Sequence, residues 1–387
     1  MIGAPPPAAG ECGVCVIGAG VMGLFTAFEA AGRGLDVLVV ERGLPGQEAS
    51  AANAGTLALQ NKHTGAIPAT IKAIALWRTV TDLTGVDVEY ERRGGLRIAE
   101  AADVELLERA VAAQRAQGLA VEMIHQPQLA REAPYLASHV AAASYCADDG
   151  MANPLASVRA LLVGCAQRRV RVWPHTTVDR IDPRGDRQFV VHTTRGAIRA
   201  SAVVCAAGAW NVDVARMVGV ELPLTTEVQQ ASTTDGGPAV FPHIVTHIRG
   251  NLTVKQSRET GKMLIGGAWH GSGDRLTGEK RVRRDTLLGN LAWASRYVPA
   301  IARARLLRAW VGFEGRTPDK LLMTGGPAAP AGFLIVGCAS GGYTLSPYAG
   351  RLTAARLAGA APDPADDVFD VRRFETRAAT PPANAHA

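Results

Sequence analysis

The chain has 387 residues, 47% of them apolar and 20% charged, and a formal net charge of +6. This is the ordinary balance of a soluble protein with chain enough for two domains, or for one with a large insertion. It excludes a membrane-spanning helix, because no uninterrupted apolar run reaches about 18 residues. A nucleic-acid footprint is not expected either, because the arginines are scattered and only six of the 41 basic residues are lysine. Attraction of anionic small molecules is the remaining functional reading of the charge. The Pro/Ala-rich start, residues 1–11, lacks the basic region and apolar stretch of a secretory signal, so a cytoplasmic protein is expected.

In chain order, residues 13–17 read as a buried strand. Residues 21–33 read as a helix with Val21, Leu24, Phe25 and Phe28 on one face, and residues 35–40 as a second strand. Two parallel strands joined by one crossover helix imply a doubly wound sheet. Val104, Leu107 and Val111 mark an amphipathic helix. Asn153 and Pro154 cap and open another, with Leu155, Val158, Leu162 and Cys165 at helical spacing. Residues 170–178 and 188–193 alternate like strands, and residues 201–205 form a short apolar strand. Residues 220–267 look like an antiparallel sheet, with strands at 252–256 and 263–267 around the turn Glu259-Thr260-Gly261. Residues 333–337 are a late strand, and Ser346-Pro347 opens a last helix. Residues beyond about Ala378 are small and polar, and disorder is expected there. Of the six cysteines, Cys12 and Cys15 have metal-knuckle spacing but no answering pair. With Cys146, Cys165, Cys205 and Cys338 they read as buried or incidental thiols, and no metal is expected.

Gly18-Ala19-Gly20-Val21-Met22-Gly23 stands between the first strand and the first helix. Gly18 permits the tight turn, Gly20 lets backbone approach a pyrophosphate, and Gly23 lets the helix pack close to the strand. The helix N-terminus offers free N–H groups to phosphates. Glu41, at the end of the second strand, is placed to accept hydrogen bonds from ribose hydroxyls and would repel a 2′-phosphate. The motif therefore asks for FAD or NAD and argues against NADP.

Four later segments bear on that choice: 50–55 (Ser50, Ala51, Ala52, Asn53, Ala54, Gly55), 149–154, 203–210 and 341–347. In this order they closely resemble the D-amino-acid oxidase family of flavoproteins, over roughly residues 13–360. That family includes glycine and sarcosine oxidases and the flavoprotein subunits of amino-acid and opine dehydrogenases. The resemblance implies an α/β fold: a Rossmann-like FAD-binding domain (12–60, 145–215 and 325–370) with an inserted antiparallel-sheet substrate domain (61–144 and 216–324), and flexible tails at 1–11 and 378–387. It also implies FAD. Gly18, Ala19, Gly20, Val21, Met22 and Gly23 would hold the pyrophosphate, and Glu41 and Arg42 the adenosine end. Ser50 to Gly55 with Thr56 would run beside the phosphates and the flavin ring, and Val178 would contact adenine through its backbone. Ala206, Ala207, Gly208 and Trp210 would pack close to the FAD, and Gly341, Gly342, Tyr343 and Thr344 would touch the pyrimidine edge of the flavin. The last helix would point its positive end at the charge that develops there on reduction. Cys338 reads as core and residues 310–319 contain no cysteine, so the FAD is expected to be non-covalent.

The chemistry implied is oxidation of the C–N bond of an amino acid or secondary amine: hydride leaves the α carbon for flavin N5, and the imine is hydrolysed. Such a reaction asks the protein mainly for orientation. Many relatives bind the substrate carboxylate with an Arg where this chain has Glu314. Arg316 could replace it as a bidentate clamp, could pair with Glu314, or Glu314 could receive a second, cationic group of the substrate. Lys255 and His270 bracket the expected roofing hairpin, Trp269 could shape the pocket, and Tyr343 joins the catalytic candidates. Partner subunits or a homo-oligomer are compatible with the resemblance. An electron-relay or scaffold subunit, motivated by Glu314, stays open as an alternative, as does a hydroxy-acid or polyol dehydrogenase on the same fold.

Overall fold

The structure, a computed structural model, describes residues 8–185, 187–337, 340–361 and 363–375. The expectations for Cys338, for residues 1–7 and for the tail at 378–387 lie outside the described residues. The chain opens with β1 (Ala8–Ile17), α1 (Val21–Ala31) and β2 (Val37–Val40). It continues through α2 (Ile67–Trp77), β3 (Gly95–Glu100), α3 (Val104–Ala116), β4 (Glu122–His125) and β5 (Val140–Cys146). Next come α4 (Pro154–Gln167), β6 (Arg171–Trp173), β7 (Val178–Pro183), β8 (Phe189–Thr193) and β9 (Gly196–Cys205). The strands β10 (Thr225–Thr234), β11 (Ile244–His247), β12 (Thr253–Gln256) and β13 (Met263–Gly266) lead to α5 (Arg284–Tyr297) and β14 (Leu306–Arg316). The described chain closes with β15 (Met323–Gly325), β16 (Phe333–Gly337) and α6 (Gly342–Leu357).

Two eight-stranded sheets organise these elements. The first has the order β7-β8-β9-β1-β2-β6, with β16 also on β9 and β15 on β16. Its centre is parallel, with Ile17 opposite both Val40 and Cys205. Both faces are buried, and side-chain alternation divides them. Val14, Val16, Val37 and Val39 face the core shared with α1, α4 and α6, whereas Cys15, Ile17, Leu38 and Val40 face a second core. The second sheet has the order β14-β10-β13-β12-β11-β3-β5-β4. It is antiparallel except where β11 runs parallel to β3.

Four segments depart from the sequence reading. β1 starts at Ala8, inside the stretch expected to be a tail, because residues 8–12 continue the ladder with β9. Residues 170–178 form two strands rather than one. Pro174 and the left-handed His175 (φ 51°) break the run between them, and His175 and Thr176 donate their N–H groups to Gly43 and Glu41. The sheet expected within 220–267 draws three further strands from 95–146. Finally, α6 begins at Gly342, four residues before Ser346. Pro347 is tolerated inside it because the Tyr343 carbonyl, which loses its usual N–H partner, accepts the Ser346 hydroxyl at 2.7 Å.

Candidate functional site

A cavity of about 520 Å³ runs from the β1–α1 turn to the N-terminus of α6. Its first wall is the glycine turn. Gly18 has φ 109°, and a Cβ there would collide with the carbonyl oxygen of Ala206, so the ends of β1 and β9 meet only over glycine. Glu41 accepts N–H groups of Ala19 at 2.8 Å and Gly43 at 2.9 Å, and the Ser50 hydroxyl accepts Val21 N–H at 2.9 Å. Asn53 fixes the following loop by donating to the Ser50 carbonyl (2.6 Å) and accepting Gly55 N–H (2.6 Å). The loop is tied to β14 by Trp310 Nε1–H donating to the Ala52 carbonyl at 2.8 Å. Arg42 lies 3.7 Å over the Trp210 ring. At the far end Gly341, with φ 71°, caps α6. The Thr56 hydroxyl on the wall is buried and has no hydrogen-bond partner among the described residues.

Most residues singled out from sequence line this one cavity. Gly18, Gly20, Val21, Met22, Glu41, Arg42, Ser50, Ala52, Asn53, Ala54 and Thr56 do so, as do Val178, Ala206, Ala207, Gly208, Trp210, Gly341, Gly342, Tyr343, Glu314 and Arg316. Ala19, Gly23, Ala51, Gly55 and Thr344 do not line it. Thr344 is wholly buried, and its hydroxyl donates to the Thr56 carbonyl. Three catalytic candidates are placed elsewhere. His270 is exposed at a strand edge and lies off the cavity. Lys255 is buried off the cavity, where loss of water pushes its ammonium down to about 7, helped by Arg93 and opposed by Glu91. Tyr343 presents its backbone, but its hydroxyl is 2.8 Å from that of Ser157 and its ring is 4.9 Å from Trp77. That hydroxyl points into the core, and burial pushes its pKa up, so it offers no acid or base to a ligand.

The sequence profile of the FAD dependent oxidoreductase (DAO) family matches residues 13–356. The chain belongs to the DAO family of FAD-dependent oxidoreductases. Glycine oxidase from Geobacillus kaustophilus (strain HTA426) is 28% identical over 352 residues, 88% of this chain and 91% of that protein. An opine oxidase subunit from Rhizobium meliloti is 26% identical over 391 residues, 95% of this chain and 99% of that protein. The crystal structure of the Geobacillus kaustophilus glycine oxidase matches with a TM-score of 0.86 at 25% identity, over 94% of this chain and 99% of that one.

The DAO cofactor, FAD, fits what the cavity offers. The close approach at Gly18, the Thr56 hydroxyl with no partner among the described residues and the start of α6, which no described side chain caps, lie along one continuous wall, as an extended diphosphate-linked ligand requires. None of the five described cysteines lines that wall.

At the charged end of this DAO-family cavity, the structure has the pairing of Arg316 with Glu314 that the sequence left open beside the clamp, and adds a second carboxylate. Arg316 is held by Glu227 at 3.1 Å and by Glu314 at 3.0 Å, so two carboxylates share one guanidinium. Gln229 Nε2–H also donates to Glu227 at 2.7 Å. A further cation on the wall, beside Arg42 and Arg316, is Lys62, which sequence reading missed. Burial pushes its ammonium down to about 8, against the pull of Asp149 and Glu314. A Cβ on Gly341 would collide with its Nζ, so it stands at the N-terminus of α6. Asp149, itself pushed up to about 6 by burial, accepts Leu59 N–H at 2.7 Å and anchors the loop that carries Lys62. The available signal was the change from apolar Leu57-Ala58-Leu59 to polar Gln60-Asn61-Lys62 soon after the 50–55 segment.

Proposed function

We propose that the chain oxidises the carbon–nitrogen bond of an amino acid or secondary amine, with hydride leaving the α carbon and the imine then hydrolysed. The observation that carries this reading is the polar end of the cavity. Glu314, Arg316, Gln229 and Lys62 line the same cavity, Lys62 at the N-terminus of α6. Relatives named glycine oxidase, opine oxidase and 4-methylaminobutanoate oxidase support the same class. FAD, when bound, supplies the hydride acceptor. The chain's part is to hold the amine neutral and oriented, and to set positive potential where negative charge develops. Its means for the second is the α6 N-terminus.

The relatives named as subunits support a reading in which this chain works with partner subunits. That no described helix is long and apolar enough to cross a membrane is compatible with a cytoplasmic setting. The test is anaerobic mixing of the purified holoprotein with amino acids, N-methyl amino acids, proline analogues and opines while visible flavin absorbance is followed. Bleaching by an amine, with a keto or aldehyde product after hydrolysis, is expected. Bleaching by polyols or hydroxy acids alone would overturn the reading.

A further inference from the structure

The polar end of the cavity carries two unlike charge sites. At one side Arg316 is bonded to both Glu227 and Glu314, which leaves that cluster one negative charge in excess, with Glu314 on the cavity wall. A guanidinium already shared by two carboxylates is a poor receptor for a third, because the local potential around it is negative. At the other side Lys62 lines the cavity, with no ion pair or hydrogen bond to its ammonium among the described residues. It stands against the N-terminus of the sixteen-residue helix α6, whose partial charge has the same sign. Glu314 and Lys62 feel each other electrostatically across the cavity, yet do not pair. A ligand complementary to this arrangement has a negative end for Lys62 and a positive end for Glu314.

We propose that the substrate carries both a carboxylate, received by Lys62, and a second cationic group, received by Glu314: an amino acid or secondary amino acid with an ammonium or guanidinium on its side chain. This rests on the amine reading above and narrows it. The amine that is oxidised lies between the two charged ends and stays neutral. Charge at both ends fixes its orientation, so a molecule with only one of the two loses alignment as well as affinity.

The test uses ligands that cannot be oxidised at an α-amine, so it does not depend on turnover. The holoprotein is titrated with 4-guanidinobutyrate and with its neutral isostere 4-ureidobutyrate, and binding is read from the perturbed flavin spectrum. The guanidino compound is expected to bind about tenfold more tightly, the scale of one charge-assisted contact. Glu314→Gln should bring the two within about twofold, and Lys62→Gln should weaken both by about tenfold, with Lys62→Arg recovering most of the loss. Flavin content and melting temperature of each variant separate a folding defect from a binding one, and the wild-type preference decides the matter even if a variant fails to fold. Equal wild-type affinity for the two ligands, or unchanged binding in a well-folded Lys62→Gln, overturns the proposal. If the preference holds but no amine bleaches the flavin, the amine reading fails while the charge reading stands. If neutral amino acids bleach the flavin as readily as basic ones, the reverse follows.

Discussion

Lys255 is buried and Lys62 half-buried on the cavity wall; both have depressed pKa values, and they make different predictions. Lys62 faces the ligand cavity with a value near 8, opposed by Asp149 and Glu314. A carboxylate binds the protonated form, so its affinity is expected to be level below pH 8 and to fall about tenfold per unit above it, by linkage. Titration of 4-ureidobutyrate across that range checks this, and Lys62→Gln should flatten the profile. Lys255 lies off the cavity with a value near 7. Unfolded lysine titrates near 10.4, so the depressed folded value gives stability that is present above that point and lost as pH falls through 7. Lys255→Met is therefore expected to stabilise the fold by on the order of 3 kcal/mol at pH 7 and by little at pH 10, a difference that urea denaturation at the two values reads directly. At this scale the nucleotide half of the site was legible because the glycine turn is local. At the charged end Glu314 and Arg316 were legible but Glu227 was not, because Arg316 meets it only through the pairing of β10 with β14, far apart in sequence.

The elements read best where a local rule acts alone. Asn153 was legible as a cap, and its side chain accepts the N–H groups of Leu155 at 3.0 Å and Ala156 at 3.2 Å. Asn153→Ala should cost about 1 kcal/mol of stability, measurable as a lower urea midpoint. The start of α6 was misplaced because Ser346-Pro347 looks like a helix opening, while the true opening rests on a left-handed Gly341. Ser346→Ala leaves the Tyr343 carbonyl without its 2.7 Å donor beneath the cavity. A loss of about 1–2 kcal/mol is expected, with weaker FAD retention as the second readout. β3 and β5 went unread for a different reason. The run Ala141-Ala142-Ala143 has low strand propensity, and β3 gains its neighbour β11 only from residues 244–247.

Across the whole molecule, the two sheets are coupled through the loop that lines the cavity. Trp310 of the second sheet bonds the Ala52 carbonyl at 2.8 Å, and Lys280 pairs with Glu48 at 2.5 Å. The Rossmann-like half was legible because parallel strands buried on both faces are apolar throughout. The second sheet is assembled from distant segments and could be anticipated only in outline. A ligand that fills the cavity touches both parts, so FAD is expected to raise the melting temperature of apoprotein in a saturable way, by mass action on the folded state. NADP should not do so, since Glu41 repels a 2′-phosphate.

The central claim is that the wall from Gly18 to Gly341 holds FAD. Its most direct test is the visible spectrum of the purified chain, before and after addition of FAD to protein freed of small molecules, beside Gly18→Val, in which a side chain would collide with the Ala206 carbonyl. The account requires flavin bands, stoichiometric uptake by the wild-type chain and none by folded Gly18→Val. A colourless wild-type protein that takes up no added FAD would contradict it.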